Sequence, residues 1–380
     1  MKIAYLVYFD IDDNKMLGVK KKIIAQIKAL TELGNDVTLV FRRDSQLILM
    51  NNQKEVDRLT ISKGVTRYKS SISKIVSEYL TANNFDLLYL RFPNSLDYSV
   101  LKLLKSMKNK KIVFEIPTYP IKGEYLLELK KLKESKRFKE YCIKVLVFLQ
   151  HWLCTKIIKK YLKHIVTYMD FDEIWKIPVI RIDNGVDTST FEAINFSKEK
   201  DIFTIIGVAN ISKWHGFDRV IRGLTDYKEN VIFKIIGDGD EKNSLVELSE
   251  ALKVENKVEF LGPLFGEELI KQYEESNIAI SSLGMHRIGL VSGSTIKTKE
   301  YCSLGIPFIY SYDEKQLSND FKYALKVDAS ENPIDLNSVK KFYDNIKNDN
   351  YSNTMHEYAQ KNYDWNVQMK LILNEVIDDE

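Results

Sequence analysis

The sequence predicts an α/β protein built from two doubly wound domains, and three observations carry that prediction. Short β-branched runs alternate with helical apolar patterns along most of the chain, and strand–helix–strand alternation means parallel strands joined by right-handed crossovers. This alternation starts twice, once at residue 2 and again near residue 202. Between the two starts lies R-I-D-N-G-V-D-T-S-T-F (181–191), rich in turn-forming Asn, Gly and Asp. The expectation is two Rossmann-like domains facing each other across a cleft. The first covers residues 1–180, 181–195 is an interdomain connection, 196–363 forms the second domain, and a last helix, 364–380, packs back on the first. The 380 residues accommodate this, at ~150 residues per domain.

Composition removes several classes. Apolar content of 44% with 11% aromatic residues is far above that of a disordered chain. No run approaches about 18 apolar residues; the longest, Ile143 to Leu153, is broken by Lys144, Gln150 and His151, so no membrane span is expected. Met1-Lys2 leads straight into I-A-Y-L-V-Y with no cleavage site, so no secretory signal is expected either. Cys142, Cys154 and Cys302 are too few and too scattered for a disulfide framework or zinc site, which points to a reducing cytoplasm.

The elements follow in order. K-I-A-Y-L-V-Y (2–8) is a continuous apolar strand of the kind buried on both faces. Gly18 precedes a helical stretch with Ile23, Ile24, Ile27, Leu30 and Leu33 on one side. Gly34 stands where a helix C-cap glycine belongs, and D-V-T-L-V-F (36–41), D-L-L-Y-L-R (86–91) and K-I-V-F-E-I (111–116) are further strands. In the second half the strands are 202–207, 231–237, 257–261, 278–282 and 306–310. Open α/β sheets bind ligands beyond the carboxyl ends of their strands, so the residues just after each strand are the candidates. They are V-A-N-I-S-K-W-H-G-F-D-R (208–219), G-D-G-D (237–240) and L-G-M-H-R-I-G-L-V-S-G-S-T-I-K-T-K-E-Y-C-S-L-G-I-P (283–307).

Here the chain resembles a known family. N-G-V-D-T-S-T-F, the loop 208–216, the turn I-I-G-D-G (235–239) and the helix S-T-I-K-T-K-E-Y-C-S-L-G-I-P-F-I, in this order, look like retaining glycosyltransferases of the GT-B fold. The resemblance is to family 4 (group 1), and E-I-P-T-Y-P (115–120) and W-H-G-F-D-R resemble its bacterial surface-polysaccharide subgroup. It implies a nucleotide-sugar donor held by the C-terminal domain, an acceptor held by the N-terminal domain, and no metal or other cofactor.

Carried over residue by residue, the resemblance puts Lys297 beside the leaving phosphate and Glu300 on the nucleotide's ribose. Gly237 and Gly239 fall on the hydrophobic-G-x-G turn, and Ser294 lies at the head of the helix. Two positions depart from the family. Its first glutamate falls on Ser292, and the usual Arg and Lys of the diphosphate loop fall on Asn210 and His215. Lys213 and Arg287 are nearby replacements by sequence. A glycine at 18 lets backbone approach a phosphate or acceptor closely, and Glu115, ending a strand, can orient the acceptor or assist its deprotonation. Trp214 is expected to pack the loop, Cys302 to fill core, and D-G-D (238–240) to form a turn rather than bind metal.

Charge is unevenly spread. Net charge is +3, yet residues 122–163 hold eleven Lys and one Arg against four Glu, which is +8 and leaves −5 elsewhere. V-L-V-F-L-Q-H-W-L-C (145–154) is apolar and K-I-I-K-K-Y-L-K (156–163) basic and amphipathic, a pattern suited to an anionic membrane surface. No recognition motif or aromatic platform accompanies the lysines, so no nucleic acid is expected. The expected protein is a cytoplasmic glycosyltransferase, peripheral on the inner face of the plasma membrane. It moves a sugar from a nucleotide diphosphate sugar, UDP-linked by expectation, to a hydroxyl of a lipid-linked capsule or exopolysaccharide glycan. Assembly with itself or with sister glycosyltransferases is compatible with this. A non-catalytic, glycan-binding relative is kept open by Ser292, Asn210 and His215, and a UDP-sugar 2-epimerase fits the N-G-V-D and E-x-x-x-x-G-x-P segments less well.

Overall fold

Successive side chains of a strand leave toward opposite faces of its sheet, and the central strands of this protein are apolar at nearly every position. In the computed structural model, Ile3, Tyr5 and Val7 enter one core cluster while Ala4 and Leu6 enter another. Ile205, Ile235 and Ile280 separate in the same way from Ile206, Ile236 and Ala279. Both sheets are therefore covered on both faces. The structure describes residues 1–13, 16–61, 68–196, 201–314, 316–318 and 320–377.

Unit 1 holds strands β1 (Lys2–Val7), β2 (Asp36–Arg43), β3 (Gln46–Asn51), β4 (Lys54–Thr60), β5 (Leu87–Arg91), β6 (Lys111–Ile116), β7 (Ile165–Thr167), β8 (Glu173–Ile174) and β9 (Ile177–Arg181). They form one sheet in the order β4-β3-β2-β1-β5-β6-β7-β9-β8. Pairing is parallel from β2 to β9, while β2/β3, β3/β4 and β8/β9 are antiparallel. Helices α1 (Leu17–Glu32), α2 (Tyr68–Ala82), α3 (Tyr98–Ser106), α4 (Lys122–Glu134) and α5 (Phe138–Ile158) cover it. Unit 2 holds β10 (Phe203–Val208), β11 (Val231–Ile236), β12 (Val258–Gly262), β13 (Ile278–Ile280), β14 (Ser292–Gly293), β15 (Phe308–Tyr310), β16 (Asp313–Glu314) and β17 (Ala324–Lys326). Its main sheet runs β12-β11-β10-β13-β15-β17, all parallel. Helices α6 (Phe217–Gly223), α7 (Lys242–Ala251), α8 (Gly266–Glu274), α9 (Ile296–Leu304), α10 (Leu336–Ile346) and α11 (Tyr351–Asn362) flank it. Helix α12 (Trp365–Ile377) lies in unit 1, which comprises 1–183 and 365–380; unit 2 is 184–364.

Several expectations change here. The stretch 181–195, read as one connection, is divided: Arg181 closes β9, and residues from Asn184 onward belong to unit 2. There Val186 N donates to Tyr363 O at 2.9 Å and Ile194 N to Leu304 O at 2.9 Å, so backbone bonds absorb the segment. Gly18 does not precede α1 but lies in its first turn, exposed, with open space where a Cβ would be. The basic amphipathic run 156–163 is not one helix, because α5 ends at Ile158. Nor does the sequence lack a candidate span: α5, 21 residues, is long and apolar enough to cross a membrane by length and composition. Lys144 does not break it, because its ammonium pairs with Glu128 at 2.5 Å. The side chains of residues 122–124 and 127, part of the basic segment, lie outside the described ones.

Unit 1 has an ionic centre. Glu115 of β6 sits opposite Arg91 of β5 in the parallel ladder, and the two form an ion pair. Tyr89 Oη donates to the carboxylate at 2.6 Å and Gln26 Nε2 at 3.0 Å, while Tyr5 Oη holds Gln26 Oε1 at 2.7 Å. Burial pushes the carboxyl pKa up, but Arg91, Lys22 and these hydrogen bonds outweigh it and hold the group below its ordinary value. Removing one member of a buried pair leaves an uncompensated charge and costs about 3–5 kcal/mol. Glu115→Leu is therefore expected to unfold at markedly lower denaturant concentration, and Glu115→Leu with Arg91→Met to recover most of the loss. Equal midpoints for the single variant and the parent protein would contradict this account.

Candidate functional site

In both sheets the strand order reverses, and at such a switch point the loops leaving the carboxyl ends of neighbouring strands part and open a crevice. In unit 2 the reversal falls between β10 and β13, so the flanking loops are 209–216 and 281–295. These two loops are stitched together by backbone. Leu283 N donates to His215 O and Gly284 N to Trp214 O, both at 3.0 Å. Glycine makes the approach possible. A Cβ on Gly216, whose φ is +65°, would lie 2.8 Å from the Leu283 carbonyl carbon, and one on Gly284 2.8 Å from Lys213 O.

The turn after β11 seats against the same loop. Ile211 N donates to Asp238 O at 2.7 Å, and a Cβ on Gly237 or Gly239 would come 1.8 Å from Ala209 O or 2.3 Å from Ile211 O. Those two glycines therefore let the turn pack on loop 209–211. Asp238 Oδ1 accepts from Gly239 N at 2.8 Å, a turn contact, and among the described residues no group of three or more His, Cys, Asp or Glu side chains gathers to hold a metal.

The loop 281–295 ends at helix α9. Thr295 is its N-cap, accepting from Thr298 N at 3.4 Å, and Tyr312 Oη lies 2.7 Å from the hydroxyls of both threonines. Lys297 is in the first turn. Its Nζ is buried and has no hydrogen-bond partner among the described residues; the Phe217 ring centre is 6.0 Å away. Burial pulls its pKa down to about 7, with Glu300, three residues on, opposing. An ammonium kept out of water without a counter-anion is costly, and such groups collect at functional sites. Together with the positive end of α9, it suits a multiply charged anion such as a diphosphate.

His215 lies beside Lys297. Its Nδ1 accepts from Ser212 N at 3.1 Å. Burial first, and then the Lys297 charge, push its pKa down to about 3, against the bond from Ser212. The ring is thus neutral, and acceptance at Nδ1 puts its proton on Nε2. Where the family has a lysine, His215, a catalytic candidate by sequence, offers a hydrogen-bond donor but no cation. The expectation for Arg287 is corrected. Its guanidinium is bidentate on Asp218 (2.7 and 2.9 Å), bonded to Glu331 (2.5 Å) and to Lys213 O (2.9 Å), so its donors are taken by protein groups. Glu331 also meets His286 Nε2 at 2.7 Å. Lys213 is exposed, 3.9 Å from Glu241.

Asn210 is exposed at the loop's edge, and Ser292 is exposed on β14, paired with Asp313 of β16. Ser294 O accepts from Asn184 Nδ2 at 3.3 Å, so the N-G-V-D segment steadies the approach to α9. Trp214, expected to pack, is 39% exposed, with its ring centre 5.4 Å from that of His215. Cys302 is fully buried. In unit 1 the reversal lies between β1 and β5. A cavity of about 460 Å³ opens there, lined among others by Phe9, Met16, Arg91, Asn94, Thr118 and Tyr125. Glu115 is not at that surface: it is fully enclosed in its ion pair, because Arg91, Gln26 and Tyr89 surround a strand-end position that the sequence leaves looking open.

Sequence reasoning missed Asp218 and Glu331, which capture Arg287, and Thr295 and Tyr312, which set the head of α9. The D-R pair in W-H-G-F-D-R was visible, but Glu331 is 44 residues from Arg287 and leaves no local pattern. Replacing Lys297 by Met removes a buried unpaired charge. The unliganded Lys297→Met protein is expected to melt about 2–4 °C higher at pH 7, as differential scanning calorimetry would show; a lower midpoint would mean that the ammonium has a partner.

Comparison with known proteins agrees with this geometry. Residues 188–318 match the family model Glycosyl transferases group 1. No curated protein matches the sequence. Among solved structures, a glycosyltransferase from Rickettsia africae superposes with a TM-score of 0.65 at 16% identity, covering 100% of this chain and 99% of that one. The lipopolysaccharide outer core galactosyltransferase WaaB gives 0.58 at 13% identity, and Anabaena HepE in complex with UDP gives 0.61 at 11%, each covering 100% of both chains. The chain therefore has the GT-B fold, and its residues 188–318 are similar to the group 1 glycosyltransferases.

Proposed function

We propose that the protein is a retaining glycosyltransferase whose donor, a nucleotide diphosphate sugar, binds in the crevice of unit 2. The observation that carries this is the buried Lys297 ammonium, without a hydrogen-bond partner among the described residues, at the head of α9. A solved neighbour, Anabaena HepE, was obtained with UDP-glucose, which supports a UDP-sugar. The diphosphate meets Lys297 and the α9 N-terminus, Glu300 takes the ribose, and the neutral His215 Nε2–H donates a hydrogen bond. As the bond from the sugar to the phosphate breaks, negative charge grows on the departing diphosphate, where a preorganised ammonium lowers the barrier. The acceptor hydroxyl forms the new bond to the same sugar carbon. Its proton goes to the leaving phosphate, since Glu115 is enclosed and His215 already carries its proton on Nε2. We assign the acceptor, a lipid-linked cell-surface glycan, to the cavity of unit 1, where the aromatic rings of Phe9, Phe92 and Tyr125 stand beside the polar groups of Arg91, Asn94, Thr118, Glu128 and Lys144, a mixed lining that suits a sugar. The nucleotide sugar is the cosubstrate, no metal is needed, and the enzyme works in the cytoplasm at the inner face of the plasma membrane.

The pH dependence follows from Lys297. With a pKa of about 7 in the free protein, the ammonium is charged below that pH and increasingly neutral above it, whereas the diester phosphates of a nucleotide sugar do not titrate there. Bound anion raises the lysine's pKa. The dissociation constant for UDP-sugar, measured calorimetrically, is therefore flat below pH 7 and rises by up to ~10-fold per unit above it. Lys297→Met binds weakly with no such slope; a sloping variant would remove Lys297 from the site.

A panel of nucleotide sugars tests the reading directly. The right donor at 100 times its dissociation constant stabilises the protein by ~2.7 kcal/mol, and adding a glycan acceptor gives transfer that Lys297→Ala and Glu300→Ala depress. Conversion of the nucleotide sugar without any acceptor would indicate an epimerase. Stabilisation without turnover on any acceptor would indicate the non-catalytic relative.

A further inference from the structure

Helix α5 turns two different faces outward and inward. Phe138, Leu146, Leu149, Trp152 and Leu153 are 75, 66, 50, 50 and 44% exposed, and Cys142 is exposed with them. Spaced at i, i+4, i+8, i+11, i+14 and i+15, they form one continuous apolar stripe along the helix. The opposite face buries His151, Cys154 and Ile158 against unit 1, and Lys144 turns inward to Glu128 at 2.5 Å. Cations stand at both ends of the stripe. Lys136 and Lys139 are exposed at its start, and Lys156, Lys159 and Lys160 at its end. The Lys156 ammonium lies 3.5 Å from the centre of the Trp152 ring. The single carboxylate of α5, Glu140, is occupied by Arg137.

We propose that α5 is a membrane-docking helix that lies along an anionic bilayer, with the Phe138–Leu153 stripe sunk into the boundary between headgroups and acyl chains. An apolar stripe of this kind, rimmed by lysines, is the signature of an interfacial helix, and each lysine near lipid phosphates adds attraction. A spanning helix would need lipid on all sides, and α5 is held to unit 1 by its buried face. A second copy of the chain is a poor occupant. Pairing two stripes antiparallel brings the lysines at the start of one helix onto those at the end of the other, and parallel pairing stacks like on like. An anionic lipid surface is complementary to both ends at once. The proposal is independent of the donor chemistry of unit 2.

The test is co-sedimentation of the full chain with vesicles of phosphatidylcholine and phosphatidylglycerol in equal parts, against phosphatidylcholine alone. Binding is expected to be at least ~10-fold tighter to the anionic vesicles and to weaken with salt. Tryptophan emission should shift to the blue on binding, and Trp152→Phe should abolish the shift. The variant Leu146→Glu/Leu149→Glu changes two exposed positions, so its melting midpoint should stay that of the parent while vesicle affinity falls ~10-fold or more. Should that variant misfold, Lys156→Glu/Lys159→Glu carries the same expectation. Absence of binding by the parent protein, equal binding by either folded variant, or a parent dimer that the leucine variant dissociates would each overturn the proposal.

Discussion

The architecture of unit 2 turns on the close approach of two loops at the β10/β13 switch point. Backbone bonds join His215 to Leu283 and Trp214 to Gly284, and they form only because Gly216 and Gly284 carry no Cβ. The glycine turn after β11 closes against the same loop by the same means. This packing shields His215 and the head of α9 from water, and the properties of the site follow from that shielding. In a wetter crevice Lys297 would keep an ordinary pKa and His215 would titrate near neutrality.

Two buried ion pairs among the described residues set Lys297 in relief. Arg91 and Glu115 face each other across a ladder step in unit 1. In unit 2 Lys299 Nζ donates to Glu314 at 2.8 Å with both side chains fully buried. Lys297, two residues from Lys299 on the same helix, is buried without such a partner. The carboxylate that compensates Lys299 comes from β16, whereas no described side chain bonds the Lys297 ammonium, and the proposed anion site rests on that difference.

The overall charge of +3 conceals a division between parts with different surroundings. The segment 122–163 carries +8 and the remainder −5, and the structure sorts the segment further, turning the apolar residues of α5 outward between two groups of lysines. The outward face that we assign to lipid is thus an apolar stripe with lysines at both ends, and the crevices proposed for ligands lie at strand ends elsewhere in each unit.

The sequence by itself determined the alternating elements, because β-branched runs and helical apolar spacing are local signals. It pointed to the segments after the strands as ligand-binding candidates, and it put Lys297 and Glu300 on one helix at adjacent-turn spacing. It passed over β4, K-E-V-D-R-L-T, where exposed charged residues interrupt the alternation. It set Gly18 ahead of α1 because the helix start at Met16 has no side-chain cap to announce it. What only the tertiary structure decided is the charge state and availability of the side chains. His215 is neutral because loops distant in sequence bury it beside Lys297. Arg287 is withdrawn because Asp218 and Glu331, 69 and 44 residues away, close on its guanidinium. Glu115 is enclosed because Gln26, Tyr89 and Arg91 converge on it. Desolvation and ion pairing depend on neighbours in space, and composition and spacing along the chain do not report them.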